Sequence, residues 1–391
     1  MKQFPICLLI LKLSSQIVFA QGGSQLTQSQ LANRLNTITT AVPFLMIAPD
    51  SRAGAMGDAG CASTPDVSSI YWNPTKNAFI EKNYGLSISY TPWLRALVPD
   101  INLFNVSGYK RIGKKNVVGF SGSYFSLGDI TYSSITGTTT GTFRPYELCG
   151  SISFSHKMSH NFSLGIVGKY IYSDLTGGVI TKNASTHPGH SLAMDISCYK
   201  RDTINFIKPN DVFAWGVNIS NVGQKISYSN ADTVGNFIPT NLRIGVSYKI
   251  NIDQNNSVEL ICDANKLLVP TPPVYDTVNG NWVVVKGMDP NRSVFNALYT
   301  SFYDAPGGYQ EELREIDIAG GIEYWYHKTV ALRTGYFNEP ATKGNRKFLT
   351  LGIGGRYSGF GLDLSYLIAT SQRNPLQNTL RFTLLYEFNS F

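Results

Sequence analysis

Large apolar residues alternate with small or charged ones along most of the chain, and this pattern constrains the fold more than any other feature. In residues 360–366 every second side chain is large and apolar. A period of two is typical of a β-strand with two unlike faces. After Ala62 no segment has 18 uninterrupted apolar residues, so a bundle of membrane-spanning helices is excluded. The same alternation recurs in Leu380, Phe382, Leu384, Tyr386 and Phe388.

The composition indicates that bulk water does not face the whole surface. Charged residues make up 15% of the chain, against roughly 25% in soluble domains. The 36 glycines, 22 tyrosines and 21 phenylalanines are typical of a membrane barrel with aromatic side chains at the bilayer interfaces. The formal net charge is +7, but the Lys and Arg residues are scattered without a basic stripe. We therefore expect no nucleic-acid partner.

We predict about 14 strands, most of which have the ~9 to 11 residues that a tilted strand needs to cross a bilayer. Long and short connections alternate in strict order, with 128–145 and 267–314 among the long ones. Outer-membrane barrels show this asymmetry between external loops and periplasmic turns, whereas a soluble β-sandwich does not require it. The predicted strands are 84–90, 102–110, 116–127, 146–156, 162–172, 190–200, 211–222, 241–250, 256–266, 315–326, 328–338, 347–357, 359–369 and 378–391.

Because exposing a charge to lipid is costly, the charged residues indicate which face of each strand points into the lumen. An arginine on the lipid side of the bilayer midplane costs about 2 to 4 kcal/mol. The sheet must also close, because unpaired backbone groups in lipid are costly. We therefore predict an all-β fold, a transmembrane antiparallel β-barrel over residues 83–391 with an N-terminal plug. The side chains predicted to face the lumen are Arg243, Arg333, Arg356, Asp363 and Arg381.

The first 20 residues are typical of a cleaved signal peptide. Lys2 precedes an apolar stretch that Lys12 interrupts, and Val18-Phe19-Ala20 offers a cleavage site before Gln21. A membrane anchor is the alternative, but the stretch is shorter than the ~20 residues that a spanning helix requires. The sequence thus predicts export to the cell outer membrane. The four cysteines that remain are far apart and lack a C-x-x-C pair, which predicts neither a zinc site nor a disulfide scaffold.

Residues 21–82 are neither strand-like nor disordered in composition. We predict a compact plug in the lumen, with a periplasmic extension as the alternative. Its glycines permit close backbone approach, and Asn-Pro favours a turn. Arg52 and Asp58 are expected to hold the plug against lumenal charges such as Asp363 or Arg381. The residues assigned a structural or gating role are Arg52, Gly54, Met56, Gly57, Asp58, Trp72, Asn73 and Pro74.

These motifs carry a family resemblance that covers essentially the mature chain. The run Ser-Arg-Ala-Gly-Ala-Met-Gly-Asp-Ala-Gly at residues 51–60, followed by Tyr-Trp-Asn-Pro at 71–74, resembles the PorV (LptO) family. That family comprises outer-membrane components of the Bacteroidetes type IX secretion system. It is similar in turn to the FadL fatty-acid transporters, whose hatch carries an Asn-Pro-Ala motif. Thr75 stands here in place of the alanine.

The resemblance implies a non-enzymatic export component. Such a protein would receive cargo from the large translocon barrel, bind it by its C-terminal signal domain, and pass it to the sortase complex that attaches it to the cell surface. One alternative is a FadL-like transporter of hydrophobic small molecules, and a second is a lipopolysaccharide-modifying barrel enzyme. A carrier needs a continuous apolar pocket, whereas the predicted inward positions are largely Ser, Gly, Thr, Arg and Asp. This favours export, with outer-membrane lipid as a further partner.

We predict no catalytic, cofactor-binding or metal-binding residues. Residues 108–115 approximate a phosphate-binding loop, but Lys115 replaces the required Ser or Thr and no helix follows. His187 and His190 offer too few ligands for a metal. His156 and His160 have no identifiable carboxylate or serine partner in the sequence.

The longest connection, 267–314, is the candidate partner-binding loop. A loop of this length is either functional or disordered. Its Trp, Val and Tyr content predicts packing, either on the barrel mouth or on a partner protein. The residues singled out for this contact are Trp282, Val283, Val284 and Val285.

Overall fold

The computed structural model describes residues 35–389 except 96, 134–135, 179–184, 233, 279–280 and 371–375. The predicted signal peptide and the first part of the predicted plug, residues 21–34, lie outside the described residues. So does Phe391, the end of the last predicted strand.

Fourteen antiparallel strands of the described chain close into a barrel. The first strand pairs with the last, so that Tyr84 lies opposite Phe388 and no sheet edge remains. Two further strand pairs form separate hairpins. The strands are β1 Tyr84–Pro92, β2 Ile101–Ile112, β3 Asn116–Leu127, β4 Ile130–Ser133, β5 Thr139–Phe143, β6 Tyr146–Lys157, β7 Phe162–Asp174, β8 Gly189–Ile204, β9 Asp211–Gly223, β10 Asn241–Asn251, β11 Ser257–Leu267, β12 Val274–Val278, β13 Asn281–Lys286, β14 Ile316–Tyr326, β15 Val330–Asn338, β16 Lys347–Tyr357, β17 Phe360–Ala369 and β18 Leu380–Phe388.

The predicted fold class is confirmed, and two strands match their predicted bounds, 116–127 and 347–357. Two other predictions were too long by two residues or more. The strand predicted at 328–338 begins at Val330, because His327 and Lys328 form the preceding turn with φ of 50° and 54°. The last strand was predicted to span 378–391, but the ladder runs only from Leu380 to Phe388.

Both long connections treated as loops contain regular structure. The connection 128–145 holds the β4–β5 hairpin, and 267–314 holds the β12–β13 hairpin. The second also contains two short helices, α3 Val294–Thr300 and α4 Tyr309–Leu313. Two one-turn helices, α1 Ser51–Gly54 and α2 Ser69–Trp72, precede the barrel. None of the helices in the described residues has the length and apolar character required to span a membrane.

Long and short connections lie at opposite ends of the barrel, as predicted. Tight turns such as 113–115 and 158–161 define the short-turn end, and the excursion between β11 and β14 lies at the long-loop end. In barrels with this asymmetry, the short-turn end faces the periplasm and the long-loop end faces the exterior.

Each strand presents one apolar and one largely polar face. On β18, Phe382 and Leu384 are exposed on the outer wall, while Arg381 and Thr383 are buried on the inner wall. The other charged residues predicted to face the lumen lie there too. Apolar residues that precede the barrel pack on its inner wall, where Met56 and Trp72 join the cluster of Phe337 and Phe348.

Candidate functional site

The chain from residue 36 to residue 83, here called the N-terminal segment, lies inside the barrel. At the long-loop end the backbone N–H of Asn36 donates to the carbonyl of Thr342 at 3.1 Å. At the short-turn end the segment continues into β1 at Tyr84. Hydrogen bonds join it to β2, β6, β7, β8, β9, β10, β11, β14, β16 and β18, so the contacts run around the barrel wall.

The run from Asp50 to Gly60 begins with a capped helical turn. The carboxylate of Asp50 accepts from the backbone N–H of Ala53 at 2.9 Å, which caps α1. Its other oxygen accepts from the indole N–H of Trp72 at 2.6 Å. This bond joins the run from Asp50 to Gly60 to the Trp-Asn-Pro motif. Burial, with the nearby Asp66 carboxylate, raises the pKa of Asp50 to about 6.

Two glycines of this run allow close approach to the wall. Gly57 has a φ of 72°, and a Cβ there would lie 2.6 Å from the carbonyl oxygen of Tyr336. Its N–H donates to the hydroxyl of Thr350 at 2.9 Å. A Cβ on Gly54 would collide with the guanidinium of Arg381.

Met56 lies between these glycines and has no exposed surface. It packs against two wall glycines, Gly321 and Gly335, where any Cβ would overlap the Met56 backbone. The motif and the wall therefore approach each other through small residues on both sides.

The two charges of the motif pair with the wall, but only one does so as predicted. Asp58 and Arg381 form an ion pair at 2.7 Å, in line with the expectation for Asp58. Arg52 pairs with Glu323 at 2.7 Å and with Asp66 at 2.9 Å. The alternative partner Asp363 is not used, because two wall arginines already neutralise it.

The Arg52–Glu323 pair extends into a chain of alternating charges along the inner wall, on the neighbouring strands β14 to β17. Glu323 also accepts from Arg333 at 2.6 Å, and Arg333 reaches Asp363 at 2.8 Å. Asp363 in turn pairs with Arg356 at 2.6 Å. Removing one member of a buried ion pair leaves an uncompensated charge, which is strongly destabilising. The network therefore fixes the position of the N-terminal segment against the inner wall of the barrel.

The Trp-Asn-Pro motif anchors the segment on the opposite wall. The side-chain amide of Asn73 donates to the carbonyl of Cys198 at 2.9 Å. Pro74 starts a 3-10 turn over Pro74–Phe79, and its carbonyl accepts from the Ser155 hydroxyl at 2.8 Å. Thr75, in place of the alanine of the related motif, donates its hydroxyl to Asn73. A threonine is therefore accommodated here by a local hydrogen bond.

Sequence reasoning missed several charged contacts in the lumen. Lys76 is fully buried and donates to the carbonyl of Gly60 at 2.5 Å, and burial lowers its pKa. The carboxylate of Asp263 accepts from the N–H groups of Gly60 and Cys61 at 2.7 and 2.8 Å. Asp263 could have been found, because it lies on the inward face of a strand with period two. Lys76 carried no comparable signal.

The space left in the lumen differs between the two ends. A cavity of about 1010 Å³ opens at the short-turn end, and its lining includes Arg52, Asp66 and Arg356. Towards the long-loop end the N-terminal segment leaves cavities of about 30 and 70 Å³. These two cavities are therefore far smaller than the one at the short-turn end.

A buried cluster of charges holds the base of the loop between β11 and β14. Lys266 pairs with Glu312 at 2.9 Å and with Glu315 at 2.7 Å. Lys343 pairs with Glu311 at 2.6 Å and also reaches Glu315 at 2.9 Å. These contacts tie α4 to the barrel rim.

The candidate partner-binding residues lie on the part of this loop that projects outward. Trp282 is 75% exposed on β13, and Val283–Val285 are exposed beside it. Their exposure shows that they do not pack on the barrel mouth, and the predicted contact with a partner stays a prediction. Phe295 and Tyr309 add aromatic rings that are 74% and 76% exposed. We call these six residues the loop apolar surface.

Two histidines lie within hydrogen-bond distance of polar side chains on neighbouring strands. The hydroxyl of Tyr170 and Nδ1 of His190 lie 2.6 Å apart on the outer wall. His156 Nδ1 lies 2.6 Å from the side-chain oxygen of Asn116. Across the described ranges, no group of three or more His, Cys, Asp or Glu is arranged to hold a metal ion.

Several solved structures with a similar fold are described as transporters or channels for toluene or monoaromatic hydrocarbons. Two crystal structures of the toluene transporter TodX of Pseudomonas putida superpose with TM-scores of 0.51 and 0.52 at 11% and 10% identity. They cover 87% and 88% of this chain and 98% and 99% of TodX. The monoaromatic hydrocarbon channel CymD matches with a TM-score of 0.50 at 12% identity, covering 88% of this chain and 98% of CymD. At such identities the likeness shows the fold alone.

The family comparison is more specific. No curated protein sequence matches this chain. The family model described as type IX secretion system protein PorV matches residues 29–274, more than half of the chain and including both N-terminal motifs. The chain therefore belongs to the PorV family of type IX secretion proteins, and its closed barrel places it in the outer membrane.

Proposed function

We propose that this protein binds exported cargo by its C-terminal signal domain at the cell surface and passes it to the attachment complex. Cargo would arrive from the translocon barrel, and the sortase complex would receive it. The protein itself carries out no catalysis in this scheme. Outer-membrane lipid surrounds the barrel wall.

The loop apolar surface is the observation that carries this proposal. Exposed aromatic and aliphatic side chains outside the bilayer are typical of partner sites. Here Trp282 lies on a hairpin that belongs to no larger sheet, while the base of the same loop is fixed by Lys266 and Lys343. A fixed base holds the surface in place without covering it.

The filled lumen supports a role for the exterior of the barrel. Contacts of the N-terminal segment run around the wall, and its charges pair with wall residues such as Glu323. Cargo as large as a folded domain does not fit the cavities of about 30 and 70 Å³ that lie towards the long-loop end. Binding is therefore assigned to the loops.

Two measurements test this function. In a strain that lacks the gene, secreted proteins should accumulate in the periplasm with their C-terminal signal domains uncleaved. In a strain with Trp282 to Val285 changed to serine, cargo should no longer co-purify with the barrel. Normal secretion in the deletion strain would contradict the proposal.

The chain offers a matched control for the loop variant. Phe206 and Ile207 are exposed apolar residues in the turn between β8 and β9, at the short-turn end. Changing both to serine removes exposed apolar surface from the other side of the membrane. This variant should secrete and co-purify cargo normally.

Uptake of hydrophobic small molecules is the second candidate function. It is favoured by the fold shared with a toluene transporter and a monoaromatic hydrocarbon channel. The charged lumen disfavours it, because such a carrier needs a continuous apolar pocket. Loss of long-chain fatty-acid or toluene uptake with normal secretion in the deletion strain would support this alternative.

A further inference from the structure

Five cationic side chains lie together on one side of the barrel mouth at the short-turn end. They come from the ends of β2, β6 and β8 and from the turn that joins β2 to β3. Within the described residues, no carboxylate lies within 4.0 Å of any of them. We call the five residues the mouth cation cluster: Arg111, Lys114, Lys115, Lys157 and Arg201.

The centre of the cluster is Phe79, the last residue of the 3-10 turn in the N-terminal segment. Nζ of Lys157 lies 4.8 Å from the centroid of the Phe79 ring, and the guanidinium carbon of Arg201 lies 4.7 Å from it. Arg111 Nη1 donates to the carbonyl of the next residue, Ile80, at 2.6 Å. The aromatic ring offsets part of the cost of holding these cations together but does not neutralise them.

Backbone contacts place the turn lysines beside this centre. The backbone N–H of Lys157 donates to the carbonyl of Lys115 at 2.8 Å. Lys114 and Lys115 are exposed. Arg111 and Arg201 both repel the charge of Lys157. A bound anion would relieve this repulsion.

Three acidic residues at the same end do not neutralise the cluster. Asp202 pairs with Lys200 at 3.1 Å. Glu387 accepts from the hydroxyl of Tyr109 at 3.0 Å. Glu81 is exposed and forms no ion pair within the part of the chain that the structure describes.

The other side of the same mouth has mixed charge. The cavity of about 1010 Å³ is lined there by acids and bases together, including Glu81 and Asp253 with Lys82 and Lys249. No residue of the mouth cation cluster lines this cavity. The excess of positive charge therefore lies on the side of the mouth formed by β2 to β8.

The centre of the cluster faces the lumen and the periplasm. Arg111, Lys157 and Arg201 occupy inward-facing positions of their strands, because the residue two places before each of them is buried. Phe79, on which two of them lie, belongs to the segment inside the barrel. A lipid head group lies outside this wall, so the occupant that fits is a soluble periplasmic molecule. An extended chain with several anions can contact all five cations, whereas one small anion cannot.

We propose that the mouth cation cluster binds an acidic segment, rich in Asp and Glu, of a partner protein in the periplasm. The guanidinium of Arg201 makes no side-chain hydrogen bond within the described chain, so it can take a carboxylate through two parallel N–H bonds. The lysines supply point charges along the rim. Phe79 is a positioning residue for Lys157 and Arg201. The site is at the opposite end from the loop apolar surface and does not depend on cargo binding there.

A fluorescein-labelled octaglutamate peptide tests the site on the purified full-length protein in phosphatidylcholine nanodiscs. The wild type should raise the anisotropy of the peptide in a saturable manner, and added salt should weaken binding by screening the charges. Octaglutamine with the same label should not bind. Lys157→Gln/Arg201→Gln should bind octaglutamate about tenfold more weakly, a change of ~1.4 kcal/mol.

A matched variant removes the same charge from the other side of the mouth. Lys249→Gln/Lys328→Gln alters two lysines that line the large cavity and should bind the peptide like the wild type. Equal losses of affinity in the two double variants would show a general effect of net charge and overturn the proposal.

A third variant keeps the test decisive if the loss of contacts to Phe79 prevents folding, which heat-modifiable gel migration reveals. Lys114→Gln/Lys115→Gln changes only exposed side chains and should weaken octaglutamate binding several-fold. Wild-type affinity in this variant and in a folded Lys157→Gln/Arg201→Gln would contradict the site.

Native mass spectrometry distinguishes the acidic peptide from anionic lipid. After extraction from membranes that contain phosphatidylglycerol, the wild type and Lys157→Gln/Arg201→Gln should retain this lipid equally. Selective retention by the wild type, without octaglutamate binding, would assign the cluster to lipid head groups and overturn the proposal.

Discussion

The N-terminal segment and the external loop over residues 268–315 are equally long stretches of mostly irregular chain, but they use their aromatic residues in opposite ways. In the segment, Phe44 and Trp72 are buried against the barrel wall. In the loop, Trp282 and Phe295 project into solvent. Both stretches are anchored by buried ion pairs. The difference separates a part that stabilises the barrel from a part that presents a surface.

The comparison shows that aromatic content by itself does not reveal the role of an irregular stretch. The surroundings of the stretch determine whether its aromatic residues are buried or exposed. The N-terminal segment is enclosed by strands on its sides, so its apolar residues find partners within the molecule. The external loop is held at its base by Lys266 and Lys343, and its hairpin reaches beyond the wall. Its apolar residues are therefore left exposed.

Deleting Asp50 to Asn73 should have the largest effect. This removes the ion pairs to Glu323 and Arg381 together with Ala53, Met56, Ala59 and Trp72 of the core inside the lumen. Conductance of the purified protein in planar bilayers should rise sharply. Deleting the external hairpin, residues 274–286, is the control and should leave conductance low. An unchanged conductance in the first variant would show that the segment does not close the lumen.

Arg52→Met should destabilise the folded barrel by about 3 to 5 kcal/mol, because Glu323 and Asp66 lose a buried partner. Urea unfolding in lipid vesicles measures this change in free energy. The double variant Arg52→Met/Glu323→Gln should recover part of the loss.

The exposed pair between Arg144 and Asp129 at 2.7 Å offers a matched control. Arg144→Met should cost at most about 1 kcal/mol, because water screens an exposed ion pair. Similar losses in both arginine variants would contradict the distinction between a buried network and a surface pair.

Asp304 makes the external loop sensitive to pH. Burial raises its pKa from 3.8 to about 6. An acid whose pKa is raised in the folded state favours folding most at low pH, and this contribution is lost as pH rises through about 6. From pH 7 to pH 5 the opening equilibrium of the loop should fall roughly tenfold. Hydrogen exchange of amides in 294–313 measures it, and Asp304→Asn should remove the difference.

Changing Trp282, Val283, Val284 and Val285 to serine should have the smallest effect on stability. These side chains are exposed, so the free energy of unfolding should change by no more than about 0.5 kcal/mol. Loss of cargo binding without loss of stability would sharpen the contrast with Arg52→Met. A large destabilisation would show that the hairpin packs on the barrel.

Period two in the sequence was sufficient to predict the barrel, its number of about 14 strands and the lumenal side for the five charged residues singled out. Arg333 and Asp363 were assigned to the lumen because lipid excludes charge. That argument needs only the sequence of the strand on which each residue lies. The hairpins at 130–143 and 274–286 were missed, because their alternation is short and lies within connections that length alone assigned to loops.

The pairing of charges depended on the tertiary structure. The sequence by itself determined that Arg52 and Asp58 would need partners, since buried charge is costly. It could not determine that Arg52 pairs with Glu323, because strand order and register bring together residues far apart in the chain. The fold is specified by a repeated local pattern, whereas the sites depend on distances that only the closed barrel creates.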